Sequence, residues 1–346
     1  MGIEFKFFEA KGGDSILVST EQTHILIDGG FGETYKDEIT PKIKLLDKLD
    51  LVVLTHTDKD HICGLIEMLN NKKHKKDRAK INHLWFNSTK GIRVRKTGLT
   101  KVSDGNGILF QELIEEHKIS YSNNIFLDND KYKKSYIFND IKLHLLSPFE
   151  DDLQKLEKKE IETEARFCNG RVRKISNDDT QIEKDTHLDD IDISETKFGI
   201  DNTLPNNSSI AFIMEYKSKK FLFLADANID TINRSLKNMG FSKNNRLEID
   251  FVKISHHGSR NNINSEFLDI VKAKRFVILT DGQNETNNHP NKDIFSLILN
   301  HEKREKYIIF ILNYKEVIEK KFYTDEFKKY SFKALHSGSL RFNKYV

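Results

Sequence analysis

The apolar positions of this chain fall into short runs that repeatedly end in polar, potentially reactive side chains. Ile3-Glu4-Phe5-Lys6-Phe7 alternates strictly, as a strand with one buried face does, and Lys11-Gly12-Gly13-Asp14-Ser15 then breaks the chain. Residues 15–18 and 24–27 predict two further strands, the second ending in Asp28-Gly29-Gly30, where glycines permit a tight turn. Pro41, a favourable first-turn residue, predicts a helix over 41–49. Leu51-Val52-Val53-Leu54 reads as a buried strand, and helical apolar spacing follows from His61 to about Asn70. Residues 81–86 predict a strand, 106–117 an amphipathic helix, and 136–138 with 141–146 a hairpin around Asn139-Asp140. From about 150 to 204 the pattern lapses into charged residues. That stretch reads as an insertion, part helical, within a single domain spanning 1–346. Strands resume over 209–216, 220–225, 250–255 and 275–280, helices over 229–239 and 291–302, and the last 40 residues alternate in short strands such as 307–312.

Charged residues make up 32% of the 346 positions, yet 56 Lys+Arg against 53 Asp+Glu leave a net charge of only +3. That balance carries no global nucleic-acid signature, so an electrostatic partner must be met by local patches. Lys72-Lys73-His74-Lys75-Lys76-Asp77-Arg78 and Arg93-Val94-Arg95-Lys96 are such patches, read as solvated loops unless they flank a cleft and track phosphates. Cys63 and Cys168 provide no disulfide framework, Met1-Gly2-Ile3-Glu4-Phe5-Lys6 does not read as the apolar core of a signal peptide, and no run of 18 apolar residues occurs. A reduced, cytoplasmic chain that does not span a membrane is expected.

The chemistry concentrates in His56-x-Asp58-x-Asp60-His61, four potential ligands within six positions at the end of a buried strand. Imidazole and carboxylate together suit divalent ions such as Zn²⁺, and the pairs His56/Asp58 and Asp60/His61 could face two adjacent ions. The alternative is a polar turn whose aspartates cap the next helix. Asp28, Asp226, His256, His257 and His289 also follow predicted strands, and in α/β architectures ligand sites gather at the strands' C-terminal ends. Asp28 either closes a simple turn or accepts the spare N–H of a ligand histidine. Histidines 24, 74, 83, 117, 144, 187, 301 and 336 belong to no comparable cluster and read as structural or solvated.

His56-x-Asp58-x-Asp60-His61-x-x-Gly64-Leu65 resembles the signature of metallo-β-lactamase-fold hydrolases. The resemblance extends in order through Gly13-Asp14-Ser15, Ile25-Leu26-Ile27-Asp28-Gly29-Gly30, Phe223-Leu224-Ala225-Asp226-Ala227, Ser255-His256-His257-Gly258-Ser259 and His289-Pro290, spanning 12–290. Within that family these motifs look most like the soluble domain of bacterial DNA-uptake (competence) channel proteins. The resemblance implies an α/β fold, a four-layer αββα sandwich with a metal centre at one edge. It implies one or two Zn²⁺ or Mn²⁺ ions per chain: His56 and Asp58 on metal 1, Asp60, His61 and His256 on metal 2, and Asp226 bridging them. The family's middle histidine ligand is expected just before Ser209-Ile210, where this chain has Asn206-Asn207-Ser208; Asn207 would be a weak, neutral substitute.

The activity so implied is metal-dependent hydrolysis of a phosphodiester or phosphomonoester by an activated water, as in a phosphodiesterase, nuclease or phosphatase. Single-stranded nucleic acid is among the candidate substrates. Asp60 would orient or deprotonate the water, and His257 or His289 would donate a proton or bind the developing oxyanion. His257 could equally be a packing residue beside a ligand. Two other readings stand beside this one: a degenerate site that binds nucleic acid or a protein partner, and a hydrolase of another small ester such as a phosphocholine-type head group.

Overall fold

In a computed structural model that describes residues 2–70, 79–87, 105–128, 133–156, 186–196, 198–283 and 289–343, the alternating runs pair into two large sheets. In chain order their strands are β1 (Ile3–Phe7), β2 (Ile16–Ser19), β3 (His24–Ile27), β4 (Leu51–Val53), β5 (Leu84–Trp85), β6 (Tyr121–Ser122), β7 (Ser135–Phe138), β8 (Ile141–Ser147), β9 (Ala211–Tyr216), β10 (Lys219–Phe223), β11 (Phe251–Lys253), β12 (Arg275–Ile278), β13 (Ile308–Leu312), β14 (Phe332–His336) and β15 (Ser339–Phe342). The first sheet runs β15-β1-β2-β3-β4-β5-β6 and the second β14-β13-β12-β11-β10-β9-β8-β7.

Strand periodicity separates the layers. Ile25, Ile27, Leu51 and Val53 enter a central core shared with Phe221, Phe223 and Phe251 of the second sheet. Phe5 lies edge-on to Phe221 and Phe251, with ring centroids 4.5 and 4.8 Å apart; burying each such ring is worth about 1.5–3 kcal/mol. The intervening residues Leu26 and Val52 face outward, onto Ile62 and Leu65 of helix α1 (Lys59–Asn70) and Phe110 and Leu113 of α2 (Gly105–Glu116). Leu222 and Val252 do the same on the far side, against Ile232 and Leu236 of α3 (Ile229–Asn238) and Ile294 and Ile298 of α4 (Lys292–Asn300). The result is the expected αββα sandwich.

Each sheet is antiparallel on one side and parallel on the other. Pairs β3–β4 and β4–β5 are parallel in the first sheet, as are β10–β11 and β11–β12 in the second. Parallel neighbours present their C-terminal ends together. The loops leaving β3, β4, β10 and β11, which carry Asp28, His56–His61, Asp226 and His256–His257, therefore meet at one edge.

Three expectations need correction. The helix placed at 41–49 lies upstream: the chain is helical from Gly32 to Ile43, and Lys48–Leu49 is a strand paired with Lys80–Ile81. The buried stripe is Tyr35, Ile39 and Ile43, while Leu45 is left exposed, so packing favours the earlier turns. A π-helical segment at Tyr35–Ile39, with Thr40 N–H bonded to the Tyr35 carbonyl, precedes Pro41, which has no N–H to give. The strand expected over 81–86 is divided between Lys80–Ile81 and Leu84–Trp85. The last 40 residues also include two short helices, Lys315–Lys321 and Thr324–Lys329, the first anchored by buried Val317. The basic runs at 72–78 and 93–96, Cys168, and residues 157–185 of the insertion lie outside the described residues. No helix among the described residues is long and apolar enough to cross a membrane.

Candidate metal centre

Backbone contacts without side chains set the edge. A Cβ at Gly64 would stand 1.9 Å from the Gly29 carbonyl oxygen, and one at Gly13 would stand 2.1 Å from that of Asp60. Two bonds hold the loop after β3 against α1, Gly29 N–H to His61 O (2.8 Å) and Gly64 N–H to Gly30 O (2.9 Å), and a third, Asp14 N–H to Asp60 O (3.2 Å), holds the turn between β1 and β2 against the same helix. The motif glycines thus permit a backbone approach that brings Asp28 to His61. Left-handed backbone at non-glycine residues also collects here: Asp28 (φ 55°), Ala225 (47°), His256 (47°) and His257 (54°). Such conformations persist where surrounding structure imposes them, and they cluster at functional sites.

Four imidazoles converge on one carboxylate. The distances from Nε2 to Asp226 Oδ2 are 3.5 Å for His61, 3.8 Å for His257, and 3.9 Å for both His56 and His256. Each ring is held from behind through Nδ1. His61 meets Asp28 Oδ2 at 2.9 Å, and His256 meets Asp201 Oδ2 at 2.9 Å. His257 donates to the Leu279 carbonyl at 3.0 Å, with Asp14 Oδ1 3.3 Å away. His56 lies 3.1 Å from Thr55 Oγ1, whose hydroxyl donates to Asp28 Oδ2, so Asp28 braces two rings. Fixing Nδ1 selects the tautomer and aims Nε2.

Asp60 Oδ2 stands 3.0 Å from His257 Nε2 and 3.6 Å from His61 Nε2, while Asp58 Oδ2 is 3.7 Å from His56 Nε2. His56 Nε2, His61 Nε2 and Asp226 Oδ1 are buried with no hydrogen-bond partner. Buried polar atoms without partners cost about 1–3 kcal/mol each. Atoms of His56, His61 and Asp226 lie mutually within 4.8 Å, as do those of Asp60, His61 and His257. The donor set fits a divalent ion on both counts.

His257, rather than His256, lies against Asp60 and His61. Successive left-handed residues turn the adjacent rings apart, 5.9 Å between centroids at 73°. This places His257 where His256 was expected and leaves its Nε2 engaged with Asp60. Asn206 Nδ2 reaches the cluster through Asp201, at 2.7 Å, and lies 3.4 Å from His256 Nδ1, while the Oδ1 atoms of both Asn206 and Asn207 are buried without a partner. His289 packs against His256, with centroids 5.1 Å apart. Asp14, Thr55 and Asp201 brace the site without having been singled out for it. Asp14 sits in a recognisable Gly-Asp-Ser, but Asp201 follows an aperiodic charged stretch and carries no signal. A cleft of about 430 Å³ opens onto Asp60, Asp226, His257 and His289, rimmed by Phe31 and Lys59.

Burial penalises charge throughout this nest, yet opposite charges dominate. His61 is desolvated, but Asp226, Asp60 and Asp28 raise its pKa well above the ordinary value. His257, likewise buried, is pushed up to about 10 by Asp14, Asp226 and Asp60. Burial would raise Asp60, but His61 and His257 hold it far below the usual carboxylate range. His289 differs: burial, with His256 and His257 beside it, holds its pKa well below the ordinary value, so it stays a neutral imidazole near pH 7.

A sequence model of the metallo-beta-lactamase superfamily matches residues 9–282. The chain belongs to this superfamily. Solved structures align with it at low identity, some over nearly its whole length. YhfI from Bacillus subtilis shares 12% identity over 98% of this chain and 100% of its own, with a TM-score of 0.43. A diphosphatase from the PhnP family shares 11% over 99% and 98%, with a TM-score of 0.44. Human tRNase Z, short form, shares 12% over 73% and 77%, with a TM-score of 0.35. No curated protein sequence matches the chain.

In this superfamily member the protonated imidazoles and a divalent ion compete. In the metal-free chain, the raised His257 contributes stability that is full below the unfolded pKa of roughly 6.5 and lost as pH rises through about 10. A ligand imidazole must be neutral, so ion uptake releases its proton. Zinc titrations in two buffers of different ionisation enthalpy at pH 7 should therefore show net proton release, drawn from His61, His256 and His257, whose pKa values are all raised. Affinity should also climb as pH rises from 6 to 9. A pH-independent affinity with no proton release would contradict this electrostatic picture.

Proposed function

We propose that this edge binds divalent ions, Zn²⁺ or Mn²⁺, and hydrolyses a phosphate ester. The observation that carries the reading is the convergence of braced, unpartnered Nε2 atoms on Asp226. Asp60, His61 and His257 would hold one ion and His56 with Asp58 another, with Asp226 between them. When bound, such ions supply an acidified water and positive charge for phosphoryl oxygens. Asp60, as a carboxylate engaged by the ion, would be a weak base and would serve better to orient that water than to deprotonate it. His257 has no free Nε2 for a leaving group. Neutral His289 lacks the proton of a general acid but has an N–H for the developing oxyanion.

The cleft favours a small phosphodiester or phosphomonoester over a long polynucleotide. Its volume of about 430 Å³ suits a small molecule, and among its described lining residues Lys59 is the one lysine or arginine, opposed by Asp58 and Asp281. A purely binding role fits less well, because buried ligand atoms with nothing to engage are costly. Kinship with the DNA-uptake branch rests on the sequence motifs alone.

The test is hydrolysis of bis-p-nitrophenyl phosphate, p-nitrophenyl phosphate and single-stranded DNA by metal-free protein reloaded with Zn²⁺ or Mn²⁺. Metal-dependent cleavage of either nitrophenyl ester, lost in His61→Ala, is expected. Preferential cleavage of DNA would instead favour the nuclease branch. A metal-loaded chain inert on all three substrates would sink the phosphoesterase reading.

A further inference from the structure

Two adjacent histidines with separate supports invite a division of labour. On the Asp60 side, Asp60, His61, His257 and Asp226 already supply four donors, as many as a tetrahedral ion takes. On the Asp58 side, His56, Asp58 and Asp226 supply three. His256 stands apart from the first set: its Nε2 approaches Asp226 Oδ2 at 3.9 Å, the same distance as that of His56. Behind it lies a dedicated polar cage. Its Nδ1 meets Asp201 Oδ2 at 2.9 Å and Asn262 Oδ1 at 3.3 Å. Asp201 Oδ2 accepts from Asn206 Nδ2 at 2.7 Å and from Asn262 Nδ2 at 3.4 Å. Asn262 Nδ2 also reaches the carbonyl oxygen of Asp226 at 3.3 Å, tying the cage to the shared carboxylate's own backbone.

We infer that His256 is the second imidazole of the His56/Asp58/Asp226 ion, with Asp201 as its positioning carboxylate, so that His256 and His257 serve different ions. This rests on the two-ion reading of the same site. It makes a neutral asparagine ligand unnecessary. Asn206 instead aims Asp201, and Asp201 aims the ring. Left-handed backbone at both residues turns the consecutive rings apart, at 73° with centroids 5.9 Å apart, while both Nε2 atoms keep within 3.9 Å of Asp226 Oδ2.

Stepwise Zn²⁺ binding, measured by competition with a chromophoric chelator, separates the outcomes. Wild type should bind two ions. His256→Ala should keep one ion at wild-type affinity and weaken the other by at least roughly 100-fold, and Asp201→Asn should weaken that same ion by roughly 10–100-fold. His257→Ala should weaken the other ion. A His256→Ala variant that keeps both affinities overturns the inference alone, and so do His256→Ala and His257→Ala variants that lose the same ion. A wild type that binds no ion overturns the two-ion reading with it. Should a variant fail to fold, Co²⁺-substituted wild type answers directly through its paramagnetically shifted imidazole N–H resonances. Four are expected, from His56, His61, His256 and His257, and three would overturn the inference.

Discussion

Replacing Asp226 by asparagine should cripple both halves of the centre at once. The carboxylate lies within 3.9 Å of four imidazole Nε2 atoms, and its second oxygen is buried without a partner. Asp226→Asn keeps the shape and removes the charge that any pair of ions would share. Hydrolysis should fall by roughly 10³-fold, the upper scale for deleting one group aimed at the reacting charge. Both ion affinities should drop together, unlike in a histidine variant. The metal-free form should change as well. Asp226 is one of the groups that raise His61, His256 and His257, so their pKa values should move down in the variant, measurable by NMR titration. Loss of only one ion would show that the carboxylate is not shared.

The second large effect is structural. In Gly64→Ala the new methyl would stand 1.9 Å from the Gly29 carbonyl oxygen and 2.6 Å from its carbon. Both atoms are backbone, so neither can rotate aside. The helix carrying His61 would have to move off the loop carrying Asp28. Overpacking of this kind costs about 3 kcal/mol or more, to be read as a lower urea midpoint at unchanged m-value. Gly32→Ala is the control. A Cβ there meets nothing within 4 Å, and the residue opens a helix, so stability should hold or rise by up to about 1 kcal/mol. Equal destabilisation by both substitutions would discard the close-approach account.

These effects also show what a sequence can and cannot disclose. The αββα layering was implied by the motif resemblance rather than by periodicity: Ile25-Leu26-Ile27 and Leu51-Val52-Val53 are unbroken apolar runs, and packing alone turns Leu26 and Val52 one way and Ile25, Ile27, Leu51 and Val53 the other. Asp28, His56, Asp58, Asp60, His61, Asp226, His256, His257 and His289 all reach one edge because each follows a strand. The partition of His256 from His257 was not legible. It depends on two left-handed backbone residues, and no neighbouring residue type announces which ring will face Asp60. Asp201 was hidden for another reason: it acts from the margin of a stretch whose composition says only that it is charged. The displaced helix around Pro41 shows local propensity yielding to packing, because the apolar stripe Tyr35-Ile39-Ile43 lies almost wholly before the proline.

The central claim is that chain-distant histidines and aspartates build a metal centre around Asp226. Anomalous diffraction from a crystal of the zinc-loaded protein, recorded at the zinc edge, tests it most directly. Two peaks are predicted, one among Asp60, His61, His257 and Asp226 and the other among His56, Asp58, His256 and Asp226. Absence of any anomalous peak bonded to Asp226 in zinc-loaded protein would contradict it.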